Sequence, residues 1–246
     1  MIVMHPFDWQ LSNQKPVLGS NCVHVWSANL LSDSYNYEYF FDLLSHIEKD
    51  RANKYKFELD RKMFIVRRAI LRIILSKYLG ICPSDIDIRT SIYGKPEIVQ
   101  TLIKNPIFFS LSHSQNIALY AIARNKNIGI DTEFIHTLDF DSLLLSLLPP
   151  DQAKTIILRQ GDKALIFFDF WTTLEAYLKA VGTGFMQPFD HEALTNIPVG
   201  LFANGRENSN WSLTQFVPET KMIASIVIHQ PTIETSFWRF SMIDAS

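Results

Sequence analysis

Asp131 and Glu133 stand two apart in Ile128-Gly129-Ile130-Asp131-Thr132-Glu133, a stretch that reads as a strand. At a period of two both carboxylates leave one face, and Thr132 takes the other. Their Cβ atoms would lie roughly 7 Å apart. Like charges that close repel unless a cation or a shared proton holds them. A hard divalent ion with oxygen ligands is one such holder, and a solvated strand end is the ordinary alternative. Glu175 and Lys179 are four apart in Trp171-Thr172-Thr173-Leu174-Glu175-Ala176-Tyr177-Leu178-Lys179, so they share a helix face. Such a pair is ordinarily worth about 0.3–0.5 kcal/mol. This one sits in an apolar helix (Leu165, Ile166, Phe167, Phe168, Phe170), where buried charge wants a reason.

Three further groups carry weaker signals. Ser112-His113-Ser114 interrupts an apolar strand. No G-x-S-x-G elbow surrounds it, which excludes a serine hydrolase of that kind, and its histidine reads equally as a structural hydrogen-bonder. Gly94-Lys95-Pro96 is a turn presenting one lysine. Arg61, Arg68 and Arg72 fall on one side of a helix, either as a solvated face or as an anion-binding ridge of guanidinium groups.

The elements that must position these residues follow from periodicity. Residues 24–28 read as a first strand and 37–46 as a helix, followed by a charge-dense stretch from Glu48 to Lys56. A long helix begins at Asp60, with Asp60 as its expected cap, and stops at Gly80. Strands are expected at 86–92, 108–111, 117–123 and around Asp131, as a mostly antiparallel meander. Short helices follow at 140–148 and 150–159. A second long helix opens at Gly161-Asp162 and ends at Gly182, and Gly184, Pro188 and Asp190 mark a loop. Residues 211–216 and 222–228 alternate as a hairpin-like pair. The aromatic tail from Pro231 carries no assignment. Each half offers a long helix and several strands, so the expected class is α+β in two subdomains, 1–122 and 123–246, each a long helix on a small mostly antiparallel sheet.

The totals bound the rest. The 246 residues are 47% apolar and 13% aromatic, enough for a substantial core. A net charge of −2 advertises neither nucleic acid nor an anionic membrane. Cys22 and Cys82 form no disulfide framework or metal cluster and fit a reducing cytosol. No signal peptide is visible at Met1–Gln10, and the aliphatic run at Leu143–Leu148 is too short to span a bilayer. A cytoplasmic protein is expected.

In order along the chain, these stretches resemble the Sfp-type 4′-phosphopantetheinyl transferases. The likeness is carried by Tyr93-Gly94-Lys95-Pro96, Phe109-Ser110-Leu111-Ser112-His113-Ser114, Ile128 to Glu133 and Trp171 to Gly184, with Asp60-Arg61-Lys62 and Arg68 to Arg72 on the first long helix. It covers roughly residues 23 to 228. It implies transfer of the phosphopantetheine arm of coenzyme A to a serine of an apo acyl or peptidyl carrier protein, with release of 3′,5′-ADP. It implies Mg²⁺ held by Asp131, Glu133 and Glu175, which suits carboxylate and phosphate oxygens. Glu175 would also be the general base and Lys179 would stabilise the leaving phosphate. Lys95, Ser112 and His113 would grip coenzyme A phosphates, joined by Arg51, Arg68 and Lys49 from the loosely matched first half. The resemblance further implies a single-chain, monomeric enzyme of two pseudo-symmetric subdomains with its cleft between them. Leu174 departs from the pattern, which commonly has a lysine there. That departure hints at one alternative, a coenzyme A or carrier-protein binding module that has lost chemistry; a further alternative is a metal-dependent hydrolase of coenzyme A-like pyrophosphates.

Overall fold

A computed structural model describes residues 9–11, 16–100, 105–182, 211–229 and 234–242. The loop markers Gly184, Pro188 and Asp190 lie outside these residues, as does Pro231. In chain order the elements are β1 (Gln10–Leu11), β2 (Cys22–Asn29), α1 (Tyr37–Asp42), α2 (His46–Asn53), α3 (Glu58–Leu79), β3 (Ile88–Thr90), β4 (Pro96–Ile98), β5 (Ile107–Ser114), β6 (Ile117–Arg124) and β7 (Ile128–Phe134). There follow α4 (Phe140–Leu147), α5 (Pro150–Ile157), α6 (Lys163–Val181), β8 (Ser212–Phe216), β9 (Met222–Ile228) and β10 (Glu234–Arg239). This mixed architecture is the α+β class expected.

Four layers stack in the order α3, first sheet, second sheet, α6. The first sheet runs β1-β10-β2-β6-β5 and the second β7-β9-β8. The period-two alternation of the central strands builds the layers. Trp26, Ala28, Tyr120 and Ile122 face Phe64, Ile70, Leu71 and Ile74 of α3. Val23, Val25, Leu119 and Ala121 leave the opposite face and meet Ile128, Ile130, Ala224 and Ile226 of the second sheet. Ile223 and Val227, on the far face of β9, pack with Phe168, Leu174 and Leu178 of α6. Each long helix thus covers one sheet, and the two sheets bury their remaining faces against each other.

Both long helices end as the sequence dictates. Gly80 and Gly182 adopt left-handed φ values of 71° and 88° as C-caps, a conformation glycine adopts without Cβ strain. Asp162 caps α6, its side chain accepting from the backbone of Ala164 and Leu165.

Four local expectations change. Asp60 lies inside α3, whose N-cap is Phe57 with no side-chain cap bond. The helix expected over 37–46 divides at Ser45, which opens α2 through a capping box with Glu48, so the charge-dense stretch is helical. The strand expected to break at Ser112-His113-Ser114 runs through it to Ser114, because each of these residues pairs with β6. The strand expected over 86–92 shortens to Ile88–Thr90, in a two-stranded sheet with β4. The unassigned tail also acquires a place. β10 inserts between β1 and β2, parallel to both, so the chain returns to the first sheet after building the second. Both cysteines are free thiols, and no helix among the described residues is long and apolar enough to cross a membrane.

Candidate active site

The two sheets meet edge to edge at β5 and β7, and serine hydroxyls spaced by two join them. Ser110 Oγ accepts from the backbone N–H of Ile130 at 3.1 Å, and Ser114 Oγ accepts from that of Phe134 at 3.0 Å. These satisfy outward-facing amides of a strand at its sheet's edge. Ser112 Oγ donates to Asp131 Oδ1 at 2.7 Å, and Ser114 Oγ donates to Glu133 Oε2 at 3.0 Å. The S-L-S-H-S run therefore both joins the sheets and orients the two acids.

Helix α6 crosses the same face of β7. A Cβ placed on Gly129 would stand 1.8 Å from the carbonyl oxygen of Ala176 and 2.6 Å from the nitrogen of Ala180. Only glycine lets the strand and the helix backbone approach so closely. That approach brings Lys179 Nζ to 2.6 Å from Asp131 Oδ1 and 3.2 Å from the carbonyl of Ile130. Glu175, one turn earlier, lies within electrostatic reach of Asp131, Glu133 and Lys179. Its carboxyl is pushed up to about 7, by burial first, against the pull of Lys179, with Asp131 and Glu133 adding to the rise. Glu133 is also raised, by burial and then by Asp131. Such a carboxylate is poised for proton transfer near neutral pH.

The other expected residues are placed as follows. Lys95 Nζ donates to the carbonyl of Lys179 at 2.6 Å and to that of Ile128 at 3.4 Å. It thereby ties the β3–β4 turn to the negative end of the α6 dipole. His113 meets Arg67, its Nε2 hydrogen-bonded to the guanidinium Nη1. Its ring is held down to about 4 by desolvation, then by the charges of Arg67 and Lys179. Arg68 and Arg72 pair with Glu48, at 2.6 and 2.7 Å. Arg72 is 0% exposed and also donates to the carbonyls of Pro83 and Ile86, both at 2.9 Å. The alternative of a structural role holds for Arg72: it fastens α3 to α2 and to the turn after α3. Arg51 lies over the Phe64 ring and Lys49 over Phe41, with Lys49 also 3.9 Å from Asp42.

Arg67 was not among the residues the sequence singled out. Its spacing to Arg68 and Arg72 marks no special face, and only the fold brings β5 to it. Leu174, where the resemblance leads one to look for a lysine, is 0% exposed in the core between α6 and the second sheet. The position is apolar core in this protein, so its leucine says nothing of lost chemistry.

A divalent cation suits the chemistry of this donor set. Asp131, Glu133 and Glu175 are hard oxygen donors, and Asp131 Oδ2 is buried without a hydrogen-bond partner. Among the described residues, however, no three His, Cys, Asp or Glu side chains converge closely enough to hold one ion. Lys179 supplies the positive charge at Asp131 Oδ1.

Comparison with known proteins decides the family. Residues 31–125 match the family model "4′-phosphopantetheinyl transferase, N-terminal", and residues 127–226 match the "4′-phosphopantetheinyl transferase superfamily". The 4′-phosphopantetheinyl transferase HetI of Nostoc sp. is 34% identical over 224 residues, covering 90% of this chain and 93% of that protein. The chain belongs to the 4′-phosphopantetheinyl transferase family. A putative 4′-phosphopantetheinyl transferase of Synechocystis sp. is 31% identical over 147 residues, 58% of each chain. The Sfp transferase of Bacillus subtilis is more distant, 22% identical over 153 residues, covering 62% of this chain and 66% of that protein. As a phosphopantetheinyl transferase, the chain is an enzyme whose family moves phosphopantetheine from coenzyme A to carrier proteins. The two family models meet between Arg124 and Asn127, at the turn from β6 to β7 where the chain passes between the sheets.

Proposed function

We propose that this transferase is of the Sfp type, acting as a monomer in the cytoplasm on apo acyl or peptidyl carrier proteins. The carrier serine oxygen attacks the phosphorus that bears the pantetheine arm. The bond from that phosphorus to the bridging pyrophosphate oxygen breaks, 3′,5′-ADP leaves with the electron pair, and the serine proton passes to Glu175. The observation that carries this reading is the company Glu175 keeps where α6 passes against Gly129 of β7: Asp131, Glu133 and Lys179 all act on it, and burial raises its carboxyl. It can accept a proton at the pH of the cytoplasm, which a carboxylate of ordinary pKa does poorly.

Lys179, paired with Asp131 Oδ1 at 2.6 Å, would stabilise the charge that develops on the leaving phosphate. Ser112 orients Asp131 and Ser114 orients Glu133. Asp131, Glu133 and Glu175 do not converge on one point as they stand, so they would hold Mg²⁺ only by closing around it; when bound, the ion would neutralise pyrophosphate charge during bond breaking. Lys95, Ser112 and His113 border the coenzyme A phosphates, with Arg51, Arg68 and Lys49 further along the first half. Of these, Lys95 acts chiefly through its hold on the end of α6, and Arg68 keeps Glu48 as its partner.

The test is to incubate the protein with coenzyme A, Mg²⁺ and an apo carrier domain. The carrier should gain the mass of one phosphopantetheine, 3′,5′-ADP should appear in equal amount, and a chelator should stop both. Nucleotide release without a carrier would point instead to a hydrolase. Binding of coenzyme A with no mass gain on any carrier would leave only a binding module.

A further inference from the structure

Leu174, Leu178 and Phe168 of α6 meet Ile223 and Val227 of β9 in apolar contact, but one row of the second sheet is polar. Asp131 of β7, Ser225 of β9 and Gln215 of β8 stand side by side in the strand register. Ser225 is wholly buried at the centre of this row, its Oγ 2.8 Å from Thr172 Oγ1 and 3.3 Å from Thr173 Oγ1 of α6. The Thr172 hydroxyl donates to the carbonyl of Phe168 and the Thr173 hydroxyl to that of Asp169, both at 2.8 Å. Each threonine proton is thus committed to its own helix, so the Ser225 hydroxyl donates to Thr172. Gln215 Nε2 donates to Asp169 Oδ1 and to Thr173 Oγ1, the latter at 3.1 Å. Hydrogen bonds are directional, so a satisfied buried row of this kind selects one rotation of α6 against β9.

Glu175 depends on that rotation more than its neighbours do. Asp131 is held by Ser112 and Lys179, Glu133 by Ser114, and Lys179 by Asp131 and the carbonyl of Ile130. Among the described residues no hydrogen bond holds the carboxyl of Glu175, on which its neighbours act only through their charge. Its place is set by the helix that carries it, three residues past Thr172 and on the same side. The apolar contacts are non-directional and leave the helix free to turn. A carboxyl about 5–6 Å from the helix axis moves about 2 Å for a rotation of roughly 20°, and a misplacement of about 1 Å can cost about 10²-fold in rate. We propose that Ser225 is a positioning residue for transfer: through its hydrogen bond to Thr172 it fixes the rotation of α6 that presents Glu175 to the carrier serine. The inference rests on the reading of Glu175 as the base.

Ser225→Ala leaves no donor unpaired, because both threonine protons keep their carbonyls, and Thr172→Val breaks the same bond from the helix side with little change of shape. In a carrier-modification assay, kcat per folded molecule should fall at least about ten-fold in each, while KM for coenzyme A stays within about two-fold. Thr172→Ser, which keeps the hydroxyl, should stay within about three-fold of the parent. Added to Glu175→Gln, Ser225→Ala should cost less than about two-fold more, because a residue acting through Glu175 has nothing left to position. A parental kcat per folded molecule in Ser225→Ala, even with lowered thermal stability, would overturn the proposal and leave Ser225 a purely structural residue. The full ten-fold loss in the Glu175→Gln background would overturn it too. Normal turnover by Glu175→Gln alone would remove the base itself, and this inference with it, whatever the Ser225 variants do.

Discussion

Glu48 in the first half and Glu175 in the second are both carboxylates drawn largely out of water beside a long helix, and they titrate in opposite directions. Burial pushes each of them up. Around Glu48 the charges of Arg68 and Arg72, together with hydrogen bonds from the Ser45 amide and Arg68, outweigh that push and hold it below its ordinary value. Around Glu175 the single cation Lys179 is opposed by Asp131 and Glu133, and the carboxyl rises to about 7. The layered fold is much the same on both sides: a long helix on a sheet. What differs is the sign of the neighbours. One glutamate is neutralised into a fastening, and the other is left frustrated, which is the condition of a base.

The largest effect should come from removing the frustrated one. Glu175→Gln keeps the shape and deletes the proton acceptor. Phosphopantetheine transfer to an apo carrier should fall by about 10²- to 10⁴-fold, with no loss of thermal stability. Near-normal turnover would remove Glu175 from the chemistry and leave its high pKa without a use.

The matched change in the first half should act on stability. Glu48→Gln strips the negative partner from Arg72, which is wholly buried, and from Arg68, which is nearly so. Leaving a buried charge uncompensated costs about 3–5 kcal/mol. Urea unfolding of the variant should show a loss of that order, and the folded fraction should keep transfer activity. A loss under about 1 kcal/mol would mean that the carbonyls of Pro83 and Ile86 suffice for Arg72, and the contrast between the halves would shrink to one residue.

The same contrast shows what could be read from residue order. Period-two acids, the i, i+4 pair and the glycine stops are local signals, and they lead directly to β7, α6 and their ends. The arginine spacing in α3 is local as well, but it identifies a face without saying what lies against it. Glu48 comes from a different helix and turns Arg68 and Arg72 inward. The S-x-x-E signature of its capping box was present at Ser45 and Glu48, and the density of charge around it concealed the helix. Arg67 and β10 depended on partners 46 and roughly 200 residues away in sequence, and no periodicity within either segment announces such a partner. The close passage of β7 over α6 is written in one residue, Gly129, whose need for a bare Cα is invisible until the helix is in place.

The smallest effect, and the one that tests the contrast most directly, is in the pH dependence of stability with metal removed by a chelator. Glu175 has a folded pKa of about 7 against an ordinary 4.5. Between those values the folded protein binds more protons than the unfolded chain, so this group adds stability as pH falls through 7, fully so below about 4.5. Glu48 is depressed, so the stability it contributes is present above its unfolded pKa and lost as pH falls through its lower folded one. His24, buried and neutral with a pKa brought down to about 4 by desolvation, also withdraws stability as pH falls from about 6.5. Those opposing slopes would blur the total, and a difference between parent and variant removes them. Glu175→Gln is uncharged at every pH, so it should exceed the parent in stability by about 1–2 kcal/mol at pH 8, after discounting for partial solvent exposure. The advantage should fade by pH 5, where the parent's own carboxyl is protonated. Urea unfolding at pH 5, 6, 7 and 8 checks this. Curves that stay parallel across the range would show that Glu175 ionises no differently in the folded protein than in the unfolded chain, and the two glutamates would then differ in their neighbours without differing in what those neighbours do.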